Sequence, residues 1–146
     1  MDKRGKKAQI HISFGMIFSI IMIIIFIGFA IFAIQKFLGI QRSIQTTKFY
    51  DDLQTDINAV WNSAQSSQAK SYDVPGSIGK ICFVYPGSEN MITYDGSGKP
   101  TGSKNIENID IVTIASGGSP CFENTDGKIN LVLRKDFDDI LVTIEK

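Results

Sequence analysis

Phe14-Gly15-Met16-Ile17-Phe18-Ser19-Ile20-Ile21-Met22-Ile23-Ile24-Ile25-Phe26-Ile27-Gly28-Phe29-Ala30-Ile31-Phe32-Ala33-Ile34 decides how this chain is read. These 21 residues carry no charge, and Ser19 is their one polar side chain. At a rise of about 1.5 Å per residue a helix of this length covers roughly 30 Å, the thickness of a bilayer core. A helix also satisfies its own backbone groups, which a spanning segment must do. A core helix in so small a chain would keep a polar face, and this run has none. The stretch predicts a transmembrane helix. A cleaved signal peptide is the competing reading, because Gly28-Phe29-Ala30 has the small-x-small pattern of a cleavage site. Against it, the apolar run continues unbroken to Ile34. Gly15 and Ser19 have small-xxx-small spacing, but Gly28, Ala30 and Ala33 do not extend that face.

Outward from the span, the two sides differ in charge. Residues 1–13 hold Lys3, Arg4, Lys6 and Lys7 against Asp2, a net +3. Residues 35–146 hold 11 basic and 14 acidic side chains, a net −3. A basic cluster touching a span stays cytoplasmic, so the N-terminus is expected inside and the C-terminal part outside the cell membrane. The slightly acidic outer part gives no reason to expect a nucleic acid partner.

Four regions follow: a basic cytoplasmic leader over 1–13, the span over 14–34, an amphipathic helical extension over 35–70, and an extracytoplasmic β-rich head over 71–146. In the extension, Phe49, Leu53, Ile57, Val60, Trp61 and Ala64 recur at spacings of three and four and form one apolar stripe. Asp51, Asp52, Gln54, Thr55, Asn58 and Ser63 read as the solvated face. The helix is expected to fade through Ser66-Ser67-Gln68 and to be over by Pro75-Gly76.

From Ser71 the period changes to two. Strand candidates are Ile81 to Tyr85, Met91 to Tyr94, Ile109 to Ile114, Pro120 to Glu123, Lys128 to Leu133 and Ile140 to Ile144. Asp126-Gly127 is a hairpin signal between the fourth and fifth of these. The Gly-rich run Gly96 to Ser103 superficially suggests a phosphate loop. Its lysine is followed by Pro100, the first glycine of that motif is missing and no helix follows, so it reads as a flexible loop. The result is an α+β fold: a long N-terminal helix, transmembrane and then amphipathic, packed on an antiparallel sheet of about five or six strands.

Residues able to do chemistry are sparse. The only histidine, His11, lies three residues before the span, and two cysteines cannot make a zinc site with it. Asp136, Asp138 and Asp139 lack the Gly and Glu of a known calcium loop. No acid, base and nucleophile set is evident, so no catalytic residue, metal site or cofactor is expected and the chain reads as a non-enzyme. Cys82 and Cys121 lie in strand candidates of a head small enough for one core to be marginal. An oxidising compartment permits a disulfide between them; the other reading is two buried free thiols.

Lys6-Lys7-Ala8-Gln9 followed by the apolar run resembles the prepilin-type signal of archaeal type IV pilin-like proteins. The layout is also similar to that of uncharacterised single-pass archaeal membrane proteins. The resemblance implies that a membrane peptidase cuts between Ala8 and Gln9, that the long helix joins a filament core, and that the β-rich head lies outside. Counted from Gln9, the fifth residue is Ser13, where pilins usually carry the Glu that helps neighbouring subunits register. The function so implied is a non-catalytic, membrane-anchored subunit or accessory of a surface filament. The alternative is a monomeric membrane-tethered binding or scaffold module. Expected partners are the lipid bilayer and, for a filament, further copies or pilin-like proteins.

Overall fold

The computed structural model describes residues 14–85, 87–116 and 120–146. The chain divides into two compact units, Met1–Ile40 and Gln41–Lys146. One helix, α1 (Phe14–Trp61), contributes to both. The fold class is α+β, as the change of period predicts.

In the first unit every described side chain is exposed, from Phe14 to Ile40. The Ser19 hydroxyl donates to the Gly15 carbonyl at 2.8 Å, so the one polar group of the run is satisfied inside its own helix. Lys36 Nζ lies 5.7 Å from the centre of the Phe32 ring, one turn back along α1. The helix is long and apolar enough to cross a membrane.

In the second unit, α1 buries Phe49, Leu53, Ile57 and Val60, one turn apart. The helix ends earlier than the extension to residue 70 predicts. The Lys135 ammonium donates to the carbonyls of Trp61, at 2.7 Å, and Ser63, at 2.9 Å, and satisfies groups that a helix end leaves open. Ser66–Asp73 is then a strand, β1, rather than a fading helix. Its eight residues pair in unbroken antiparallel register with β6 (Lys128–Lys135), from Ser66↔Lys135 to Asp73↔Lys128. Five of the eight residues, Ser66, Ser67, Ser71, Tyr72 and Asp73, are weak helix formers, and the segment gains a full ladder as a strand.

The strands form two sheets, not one. The first has the order β1-β6-β7, with β7 at Thr143–Glu145. The second has the order β4-β3-β2-β5: β2 is Lys80–Phe83, β3 Met91–Tyr94, β4 Pro100–Lys104 and β5 Cys121–Glu123. All ladders are antiparallel. The hairpin signal is where it is expected, with Asp126 at φ 54° and Gly127 at φ 80°, a two-residue turn of primed type. It lies in the four-residue connection, Asn124 to Gly127, that joins β5 of one sheet to β6 of the other.

Three further expectations are corrected. Ile109 to Ile114 is no strand: Ile109 makes one isolated bridge to Val142, and α2 (Ile111–Ser116) follows. Asp110 starts this helix, its carboxylate accepting from the Thr113 amide at 3.0 Å and the Thr113 hydroxyl at 2.7 Å. The Gly-rich run is only partly a loop. The Asp95 carboxylate accepts from the amides of Ser97 and Lys99 and from the Ser97 hydroxyl, a tight turn that delivers Pro100 into β4. The last strand is shorter than Ile140 to Ile144, because Ile140 stands in solvent and pairing begins at Thr143.

The core fills the space between the α1 stripe and the two sheets. Ile81, Phe83 and Met91 come from the second sheet, and Ile129, Leu131, Leu133 and Ile144 from the first. Gly79 marks where the backbones of the second sheet close up. A Cβ there would stand 2.8 Å from the Asp95 backbone, while the Gly79 amide donates to the Tyr94 carbonyl at 2.7 Å.

Candidate functional site

The residues singled out by sequence fall in three places. Ala8 and Gln9, the candidate processing site, lie outside the described residues, as do the basic leader, His11 and Ser13. Cys82 and Cys121 are joined by a disulfide. They sit directly opposite one another in the β2–β5 pair, so the covalent bond crosses the same ladder that Ile81↔Phe122 and Lys80↔Glu123 complete. The bridge closes 39 residues of chain and ties the three-residue β5 to the middle of its sheet.

The packing stripe is brought together in part. Phe49, Leu53, Ile57 and Val60 are buried against the sheets. Trp61 and Ala64 depart from the stripe. Trp61 is the last helical residue and 38 % exposed, its indole N–H donating to the Ile140 carbonyl at 3.0 Å. A ring tethered by its polar edge lies along the surface rather than in the core. Ala64 is exposed because the helix has ended before it.

Beside the apolar stripe, α1 is fastened by polar contacts that periodicity did not bring out. Gln54 and the backbone of Glu107 exchange two hydrogen bonds, Glu107 N–H to Gln54 Oε1 at 2.9 Å and Gln54 Nε2 to the Glu107 carbonyl at 3.3 Å. The next turn carries Asn58, whose Oδ1 accepts from Gln54 at 3.0 Å and from Asn108 at 2.9 Å. These amides hold Asn108 in its left-handed conformation, φ 63°. Gln54 and Asn58 are four apart and flank the buried stripe, which is the signal that could have marked them as a seam rather than a solvated face.

On the other flank, Asp56 accepts from Lys70 Nζ at 3.0 Å and from the Tyr72 hydroxyl at 2.9 Å. Burial and then the hydrogen bond to Asp56 push the Tyr72 phenol far above its usual range, so it remains a donor. These contacts pin β1 to α1. Hydrogen bonds, first from the Ser97 hydroxyl, hold the Asp95 carboxyl below its ordinary value. Those from Thr113 do the same for Asp110.

Among the described residues no three His, Cys, Asp or Glu side chains converge on one point. Asp136 is paired with Arg134 at 2.8 Å, and the Asp139 amide closes a turn onto the Asp136 carbonyl at 3.1 Å. The described residues form an apolar helix, a stripe seated on two sheets, and a covalent tie across the smaller strands. Comparison with family models, with curated proteins and with solved structures gives no match to this chain.

Proposed function

We propose that this chain is a non-catalytic, single-pass membrane protein with its N-terminus in the cytoplasm and its disulfide-closed head outside. In this reading it is a pilin-like subunit or accessory of a surface filament. One observation carries it: α1 combines a 27-residue stretch with no buried side chain, residues 14–40, with a stripe seated in a head of its own. The first stretch needs lipid or other helices around it, and the second needs only the head. The Cys82–Cys121 bridge supports an oxidising compartment for the head. The basic leader supports a cytoplasmic N-terminus.

The rival reading is a monomeric membrane-tethered binding or scaffold module, and Ser13 at the position of the usual pilin Glu favours it. N-terminal sequencing of the native protein separates the two. A chain starting at Gln9 supports the filament, because the cut removes basic residues that are costly in a dry helical core. A chain starting at Met1 or Asp2 leaves the tethered module. A start at Ile31 means a secreted protein and removes both. Orientation is read by adding protease to intact cells carrying a C-terminal tag. Survival of the tag while a known surface protein is digested overturns the outward head.

A further inference from the structure

Among the described residues of the head, Phe137 and Ile140 are the most exposed large apolar side chains, ahead of Tyr85 and Val112. The turn that joins β6 to β7 holds Phe137 75 % exposed and Ile140 82 % exposed. This is not a loose loop. The Asp139 amide closes on the Asp136 carbonyl, the Asp136 amide donates to the Asp139 carboxylate at 3.1 Å, and Arg134 grips the Asp136 carboxylate at 2.8 Å. Behind it, the Trp61 indole donates to the Ile140 carbonyl. A turn fixed at both ends presents two large apolar side chains to water and gains nothing inside the chain from doing so.

The same unit carries a matching hollow. A cavity of about 390 Å³ opens between α2, β5 and β7, with Ile114, Pro120, Phe122 and Ile144 lining it and Glu145 and Lys146 also beside it. The knob is acidic, with Asp138 and Asp139 exposed beside Phe137 and Ile140. Lys146 offers the opposite charge at the hollow, and Arg134, already paired with Asp136, stands 4.0 Å from Glu145. Arg134 therefore touches both the base of the knob and the rim of the hollow. Knob and hollow are neighbours on one surface, the arrangement in which two copies fill each other and the contact closes at two.

We propose that two copies of this chain pair through their heads, the Phe137–Ile140 knob of each seated in the α2–β5–β7 hollow of the other. The pairing does not depend on filament assembly. It is tested on the full chain in detergent with single-thiol variants and a short bis-maleimide, the native cysteines being held in their disulfide. Mixed Asp138→Cys and Glu145→Cys proteins should give a cross-linked dimer, and Ile140→Asp added to the first should abolish it. Thermal melting of the head should not move with Ile140→Asp, because that side chain is exposed, so loss of the dimer is not loss of fold. Ser77→Cys, exposed and not part of the hollow, serves as the control partner. No cross-linked dimer, equal cross-linking to the Ser77 thiol, or a dimer undiminished by Ile140→Asp overturns the pairing.

Discussion

Along α1, Phe14 to Ile40 keeps every side chain exposed, whereas Phe49, Leu53, Ile57 and Val60 are buried. The two stretches are similarly apolar at those positions but differ in what flanks them. Asp51, Asp52, Gln54 and Asp56 interrupt the second stretch and give it one direction in which to leave water. From Phe14 to Ile34 only Ser19 interrupts the first, so that part has no preferred side and suits a surrounding that is apolar all round. Apolarity says that a side chain must leave water, and period says where it goes. The two stretches should therefore answer differently to the same perturbation.

The sharpest test of that difference is the disulfide. On the chain-entropy account, closing the 39-residue loop stabilises the head by about 4 kcal/mol. Reduction, or the Cys82→Ser, Cys121→Ser double variant, should lower head stability by that amount in a denaturant titration. Membrane extraction behaviour should not change, since the bridge lies wholly within the second unit. A head that unfolds at the same denaturant concentration with and without reductant breaks the expectation.

Next in size is a matched pair of truncations. Leu53→Ala removes a fully buried side chain and should cost about 3 kcal/mol, within the range of core leucine deletions. Ile23→Ala removes a comparable side chain from the exposed stretch and should leave the head's melting curve in place. Equal shifts for both would mean that the first stretch is packed on the head.

Much of this division was legible in the sequence, and the places where it was not have physical causes. The long apolar helix, the Phe49-to-Val60 stripe and the Asp126-Gly127 hairpin all rest on local pattern; the Cys82–Cys121 bridge, one of two readings of the sequence, joins residues 39 apart and needed the fold to decide it. β1 was not legible because Ser66 to Asp73 has little apolar alternation. Its strand state is set by pairing with β6, more than 50 residues away. Ile109 to Ile114 is a short, nearly continuous apolar run, which periodicity cannot assign to strand or helix; the Asp110 cap decides it. That six expected strands became seven in two sheets follows from β1 and β4, both polar edge strands. The stripe was carried too far, through Trp61 to Ala64, because the Lys135 contacts that end the helix come from the far end of the chain.

Trp61 tests that boundary with a smaller effect. A fully buried tryptophan would lose about 3–5 kcal/mol on truncation to Ala. Trp61 is partly exposed and holds one hydrogen bond to the Ile140 carbonyl, so Trp61→Ala should cost about 1–2 kcal/mol. Trp61→Phe, which keeps the ring contact and drops the N–H, should recover part of it. A loss as large as that of Leu53→Ala would place Trp61 in the core after all.

The smallest expected effect concerns the cap that turns an apparent strand into α2. The Asp110 carboxylate accepts from the Thr113 hydroxyl and the Thr113 amide, and both bonds favour its charged form. Its folded-state value is thus below that of the unfolded chain. A carboxylate lowered in this way contributes stability that is fully present above the unfolded value, near 3.8. The contribution is lost as pH falls through the folded value. Asp95 behaves the same way for the turn before β4, so the two acids act in one pH window. Asp110→Ala should cost about 1 kcal/mol at neutral pH, the usual size of a lost N-cap. Asp110→Asn can still accept from the Thr113 amide and should cost less. Below the carboxylate range the difference between wild type and Asp110→Ala should shrink, because the protonated acid has already given up most of its advantage. Stability measured by denaturant at neutral pH and again well below pH 3.8 decides it: a gap that stays constant across that window would mean that the charge of Asp110 plays no part in holding α2, and that packing of Ile114 alone turns the segment from strand to helix.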